Sequence, residues 1–143
     1  MNKIIKSVIL LSGILLFLIS CKEDLAEGGQ SYPLGLETHH LLLKNDAAAS
    51  EVRIKNTDWR IAGIGMDSVL HQNSSAMVSE NGNYYRTYRD TMVMEWIELS
   101  RIDDGRKLKV KLQPNTTGKE RSFEVVFFAP YRHDTALKIT QQP

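Results

Sequence analysis

Lysines and aliphatic residues alternate from Lys107 to Leu112, and this pattern restricts the fold of the chain more than any other. Successive side chains of a strand point to opposite faces, so the aliphatic residues share one face and the lysines the other. A period of two predicts a half-buried antiparallel strand. Asp103-Asp104-Gly105 supplies turn residues before it, so residues 96–101 are predicted to pair with it as the preceding arm.

Further segments with the same strand character are spread along the chain. Turn-forming residues separate them, and no convincing amphipathic helix lies between them. The additional predicted strands are residues 39–44, 51–55, 59–64, 121–129 and 136–142, with Phe123, Val125 and Phe127 pointing inward. This spacing predicts an all-β protein with a β-sandwich fold.

The long connection from residue 66 to residue 90 holds the first candidate binding surface. Asn81-Gly82 favours a tight turn, so residues 76–80 and 83–89 are predicted to form an inserted hairpin. Exposed tyrosine rings suit stacking on the C–H faces of sugars, and arginines suit pairing with carboxylate or sulfate groups. The alternative is ordinary packing over the sandwich edge with solvated arginines. The candidate ligand-binding residues are Tyr84, Tyr85, Arg86 and Tyr88.

Two other groups of residues have competing interpretations. The lysine face of Lys107, Lys109 and Lys111 suits an anionic glycan or an acidic protein, but it equally protects a sheet against edge-to-edge pairing. Trp59 and Trp96 lie beside inward-pointing aliphatic residues. They are therefore predicted to be core residues and not sugar-binding ones.

Patterns for catalysis and metal binding are weak. His39 and His40 are adjacent, so on a strand their rings point to opposite faces and share no metal. His71 and His133 are predicted to lie in loops without ligand spacing around them. The single cysteine excludes an internal disulfide and a thiolate zinc site. We expect no catalytic residues, no metal and no cofactor.

The first 21 residues carry a targeting signal. Lys3 and Lys6 precede an apolar run over residues 8–19, which is too short to cross about 30 Å of hydrocarbon. The run ends in Leu18-Ile19-Ser20-Cys21, which resembles a bacterial lipobox. This resemblance implies removal of residues 1–20 and lipidation of Cys21. An ordinary secretory signal with a chance cysteine is the alternative.

The residues after the cysteine extend this interpretation. Lys22-Glu23-Asp24 resembles the export signal of Bacteroidetes surface lipoproteins, which implies an outer-membrane protein that faces outward. Residues 22–33 are polar and contain Gly28-Gly29, so we expect residues 21–35 to form a lipidated flexible linker. The formal net charge of +1 gives no support for nucleic-acid binding.

An ordered set of short segments resembles the BACON domain, a Bacteroidetes-associated carbohydrate-binding module that is often N-terminal. Residues 56–61, Asn-Thr-Asp-Trp-Arg-Ile, are similar to its first signature, and Trp96-Ile97 is similar to its second. The later matching segments are residues 108–112, 115–117, 121, 123–126 and 137–141. The resemblance implies an immunoglobulin-like sandwich of about seven strands over residues 36–143. The connection over residues 66–90 is longer than is usual in the family.

Together these features predict a cell-surface lipoprotein with a non-catalytic module. The first expected partner is the membrane, through the lipid on Cys21. The second is either host or dietary glycans of mucin-like chemistry, or other surface proteins. The alternative is a structural spacer or assembly subunit of a surface complex that binds no glycan.

Overall fold

The computed structural model describes residues 31–46, 49–80 and 83–143, and most of these residues form β-strands. At residues 75–80 and 83–85 the description covers the backbone alone. The predicted signal peptide, the lipidation site Cys21 and the linker up to residue 30 lie outside the described residues.

Short strands make up the described chain, with a single 3₁₀ turn at Asp103–Gly105 among these residues. The strands are β1 (Tyr32–Pro33), β2 (His40–Leu43), β3 (Ser50–Arg53), β4 (Arg60–Met66), β5 (Val69–Gln72), β6 (Ser74–Glu80), β7 (Asn83–Tyr88), β8 (Thr91–Met94), β9 (Ile97–Ile102), β10 (Lys107–Leu112), β11 (Arg121–Phe128), β12 (Arg132–His133) and β13 (Ala136–Gln141).

Two sheets enclose one core, which confirms the predicted all-β sandwich. The four-stranded sheet has the order β3-β10-β9-β8, and the five-stranded sheet has the order β2-β13-β11-β4-β5. The pairings are antiparallel except that β2 runs parallel to β13. The two sheets hold more strands than the expected number of about seven, because β5 and β8 add an edge strand to each.

The core is built from the inward faces of both sheets. The inward residues of β10 and β11 are those that the alternation predicted: Leu108, Val110, Leu112, Phe123, Val125 and Phe127. Lys109 and Lys111 are exposed on the opposite face of β10. Burial of this apolar surface is the main favourable contribution to folding.

The two tryptophans differ in their surroundings. Trp59 is fully buried, as predicted, and its indole N–H donates to the Gly105 carbonyl at 2.6 Å. Trp96 is only half-buried at the margin of the core, so its prediction as a core residue holds in part. The Arg121 guanidinium covers its outer face, 3.8 Å from the ring centroid, and burial lowers the pKa of this guanidinium.

The packed body starts at Ser31. Leu34 is fully buried although it falls in the range predicted to be linker, and the Asn56 side chain donates to its carbonyl oxygen at 2.9 Å. In the described ranges, no helix has the length and apolarity that crossing a membrane requires.

Candidate ligand-binding groove

The inserted hairpin forms as predicted, with β6 and β7 in a separate two-stranded sheet. A buried asparagine, Asn73, fixes its base. The Asn73 amide nitrogen Nδ2 donates to the carbonyls of Ile61 at 3.0 Å and Arg89 at 2.9 Å, and its backbone N–H donates to Ala62 at 2.8 Å. These bonds tie both arms of the hairpin to β4 and bring the end of β7 against the outer face of the five-stranded sheet.

At this position Tyr88 lies against Phe128. The two rings are stacked, with centroids 4.9 Å apart and an interplanar angle of 27°. Phe128 is the last residue of β11 and points away from the core, so 45% of its surface stays exposed. The stack therefore offers an aromatic surface to solvent and also holds β7 in place.

A groove of about 450 Å³ lies beside this stack. The residues that line it include Asp58, Arg60, Arg86, Tyr88, Phe128 and Pro130. Two of the predicted ligand-binding residues, Arg86 and Tyr88, thus come together in the groove. Tyr84 and Tyr85 lie on β7, but their side chains are outside the description.

Two charged groups of the groove, Asp58 and Arg60, are paired with residues that do not line it. Arg132 Nε donates to Asp58 Oδ2 at 3.4 Å. Arg60 Nε lies 3.5 Å from Asp90 Oδ1, and Arg60 Nη1 donates to the Trp59 carbonyl at 2.9 Å. Arg86 differs, since its Nη1 donates to the neutral amide oxygen of Gln72 at 3.2 Å.

This arrangement suits a polar ligand with a flat apolar face. The Phe128 and Tyr88 rings provide an apolar surface on which the C–H face of a sugar ring packs. Guanidinium groups beside them donate several hydrogen bonds in fixed directions. Sequence reasoning missed Phe128 and Arg60 as site residues. Its one signal for Phe128 was an aromatic residue on the outward register of β11.

The lysine face is largely paired within the protein. Lys107 Nζ donates to Glu51 Oε2 at 2.8 Å, and Lys111 Nζ donates to Glu98 Oε2 at 3.4 Å. The hydrogen bond and charge of Lys107 lower the pKa of Glu51, and those of Glu51 raise the pKa of Lys107. These cross-strand pairs fit the interpretation of this face as a protective outer surface of the sheet.

The histidines do not cluster. His71 lies in β5 and His133 in β12, so the prediction that both lie in loops is wrong. His133 Nδ1 is 3.1 Å from Ser31 Oγ and its Nε2 is 3.6 Å from Asp134 Oδ2, which joins a serine, a histidine and an aspartate. About half of the His133 and Asp134 side chains is exposed, and the contact fastens the start of the packed body to β12. In the described part of the chain, no three potential ligands form a metal-binding group.

A second hollow, of about 610 Å³, lies over β4, β5 and β11. Gly65, Leu70, Glu124 and Lys138 are among the residues that line it. It contains none of the predicted site residues and lacks an exposed aromatic stack, so the groove at Tyr88 is the better candidate.

No protein-family model and no curated protein matches the chain. Among solved structures, the NMR structure of a protein from Bacteroides thetaiotaomicron is similar, with a TM-score of 0.56 and 18% identity, over 81% of this chain and 92% of that one. A Bacteroides ovatus GH5 xyloglucanase, solved in complex with a XXXG heptasaccharide, gives a TM-score of 0.41 and 12% identity, over 73% of this chain and 17% of that one. The first likeness supports the sandwich fold.

Proposed function

We propose that this chain is a lipid-anchored surface protein whose non-catalytic sandwich domain, similar to a BACON domain, binds glycans in the groove at Tyr88. The observation that carries the proposal is the exposed Tyr88–Phe128 stack with Arg86 and Arg60 beside it. Aromatic platforms with adjacent polar groups are well suited to sugar rings, which have one apolar face and hydroxyls around the rim.

A glycan array probed with the purified protein tests this function. We expect the parent to bind a subset of the glycans and Phe128→Ala to lose that binding, because the substitution removes the exposed half of the stack. Tyr131→Ala is the matched control, since Tyr131 is 82% exposed and is not among the residues that line the groove. Equal binding by parent and Phe128→Ala would contradict the assignment of the groove.

The membrane anchor has its own test. We expect mass spectrometry of the protein extracted from membranes to show a chain that begins at Cys21 and carries acyl groups. The Cys21→Ala variant is expected to leave the membrane fraction, since a single sulfur bears the proposed anchor. A bare thiol together with residues 1–20 still attached would overturn the anchor, and with it the proposed location in the outer membrane.

A structural spacer is the second candidate function. It is favoured by the internal use of the groove residues, since Tyr88 packs on Phe128 and Arg60 faces Asp90. On this alternative the stack serves to hold the hairpin. A blank array, together with surface proteins recovered by crosslinking on cells, would favour the spacer.

A further inference from the structure

Arg86 is the cation in the groove that no described carboxylate neutralises. Its side chain is exposed, and its one hydrogen bond to a described side chain goes to the neutral amide oxygen of Gln72, at 3.2 Å. A guanidinium carries five N–H donors in a planar fork, so most of the donors of Arg86 remain available to a ligand.

The carboxylates around the groove are engaged by other arginines. Asp58 Oδ2 accepts from Arg132 Nε at 3.4 Å. Asp90 Oδ1 lies between Arg60 Nε at 3.5 Å and Arg101 Nη1 at 3.9 Å. Among the residues that line the groove, two arginines, Arg60 and Arg86, accompany one aspartate, Asp58. This surplus of positive charge favours an anionic ligand.

From this charge balance we propose that the groove selects glycans that carry an acidic substituent, either a sulfate ester or a carboxylate. The sugar ring lies on the face of Phe128, and two oxygens of the acidic group accept hydrogen bonds from the Arg86 fork. Such charge-assisted, bidentate contacts are stronger than those between neutral groups. This inference rests on the proposed glycan-binding function and adds the class of ligand to it.

Three forms of one disaccharide core test the selectivity: neutral N-acetyllactosamine, its sulfated form and its sialylated form. At low ionic strength we expect the parent to bind an acidic form about tenfold more tightly than the neutral core, which is the scale of a charge-assisted hydrogen bond. Added salt is expected to reduce the difference, because the contact is exposed. A gain with one acidic form alone assigns the substituent as sulfate or carboxylate.

Variants separate Arg86 from general charge attraction. Arg86→Gln is expected to lose the preference, so that it binds the acidic and neutral forms equally. Arg86→Lys is expected to keep part of the preference, because an ammonium retains the charge but lacks the fork. Lys109→Gln removes an exposed cation from the other sheet and is expected to leave the preference unchanged.

The outcomes that contradict the inference differ from those that contradict the function. Equal binding of all three sugars by the parent would overturn acidic selectivity while leaving glycan binding intact. An equal loss of preference in Lys109→Gln and Arg86→Gln would show bulk charge attraction and overturn the role of Arg86. Binding to none of these sugars, with a blank array, would overturn the proposed function itself.

Discussion

Two features of the structure, the backbone conformation and the space around the residue, favour glycine at position 105. Its φ of +85° lies in the left-handed region, and a Cβ atom there would collide with the Arg101 guanidinium. That guanidinium donates to the carbonyls of Thr57 at 2.8 Å and Asp104 at 3.2 Å. The glycine therefore leaves room for the arginine that fastens the loop before β4 to the turn before β10.

We predict that Gly105→Ala destabilises the domain more than Gly118→Ala does. Gly118 also has a positive φ, +69°, but nothing lies within 4 Å of the added Cβ, so this variant measures the backbone cost alone, about 1–2 kcal/mol. Overpacking against Arg101 is expected to add about 1–3 kcal/mol at Gly105. Urea unfolding of both variants measures the difference. Equal losses would mean that Arg101 moves aside freely.

Among the substitutions considered, the replacement of Trp59 is expected to lower the free energy of unfolding most. Trp59 is fully buried, its ring meets Phe127 edge-on with centroids 5.2 Å apart, and its N–H is bonded to Gly105. We predict that Trp59→Ala lowers the unfolding free energy by about 3–5 kcal/mol. Trp96→Ala is expected to lower the unfolding free energy by less, because Trp96 is only partly buried. A Trp59→Ala protein with the melting temperature of the parent would contradict this assignment.

At the scale of elements, Asn73 decides whether the hairpin stays docked. We predict that Asn73→Ala speeds amide exchange in β6 and β7 and weakens glycan binding, because the Ile61 and Arg89 carbonyls lose their donor. The loss of a buried hydrogen-bonding partner typically costs about 1–3 kcal/mol. Hydrogen exchange followed by NMR measures the effect at the hairpin.

Asn115→Ala is the matched control for this variant. Asn115 is also buried and donates to two carbonyls, those of Lys119 at 2.8 Å and Gln142 at 2.9 Å. It is expected to lower global stability to a similar degree while leaving exchange in the hairpin as it is in the parent. Faster hairpin exchange in both variants would show that Asn73 has no local role.

The ion pair between Glu51 on β3 and Lys107 on β10 makes the stability of the fold depend on pH. A folded-state pKa below the ordinary 4.5 means that Glu51 stabilises the fold above its unfolded pKa, and that this contribution is lost as pH falls through the folded value. We predict that Lys107→Gln moves the Glu51 pKa up towards 4.5, as measured by NMR titration. Lys111→Gln, which removes the lysine opposite Glu98, is expected to leave it unchanged. An unshifted Glu51 in Lys107→Gln would contradict the pairing.

The strands that could be predicted from the sequence are those in which buried and exposed residues alternate. β10 and β11 followed from their period of two, and the inserted hairpin followed from Asn81-Gly82. β5 was not predicted, because all four of its residues are exposed and show no alternation of burial. The turn before it was not predicted either, because Asp67 and Ser68 form it at positive φ without a glycine.

The groove was predictable only in part, for a different reason. Arg86 and Tyr88 lie two residues apart on one strand, so their shared face follows from local geometry. Phe128 and Arg60 join them through the pairing of β11 with β4, and that pairing links distant parts of the chain. Local patterns do not determine which strands become neighbours.

At the scale of the whole molecule, the two ends of the packed body lie at different ends of β11. The Tyr32 N–H donates to the Tyr131 carbonyl at 3.1 Å, next to the groove residue Pro130. Near the other terminus, Gln141 pairs with Arg121, at the opposite end of β11 from Phe128. Seven residue steps along β11 separate these two ends, which is about 23 Å.

This arrangement predicts an effect of orientation on binding. Protein immobilised through its N-terminal side is expected to bind a long polysaccharide more weakly than protein immobilised through its C-terminus, because the support crowds the groove. A short oligosaccharide is expected to bind equally in both orientations. Biosensor measurements with both ligands compare the two cases. Equal polysaccharide binding would show that the groove is open from all directions.

The hydrogen bond between Tyr32 and Tyr131 fixes the start of the packed body, so only the residues before Ser31 would span the distance between a lipid on Cys21 and the domain. Ten residue steps separate Cys21 from Ser31, so that stretch of chain reaches at most about 36 Å. If Cys21 carries the proposed acyl groups, we expect the groove to stay within a shallow layer above the bilayer, so that a bound polymer would lie along the cell envelope. On that proposal the domain would retain material already at the cell surface and would not reach distant ligands.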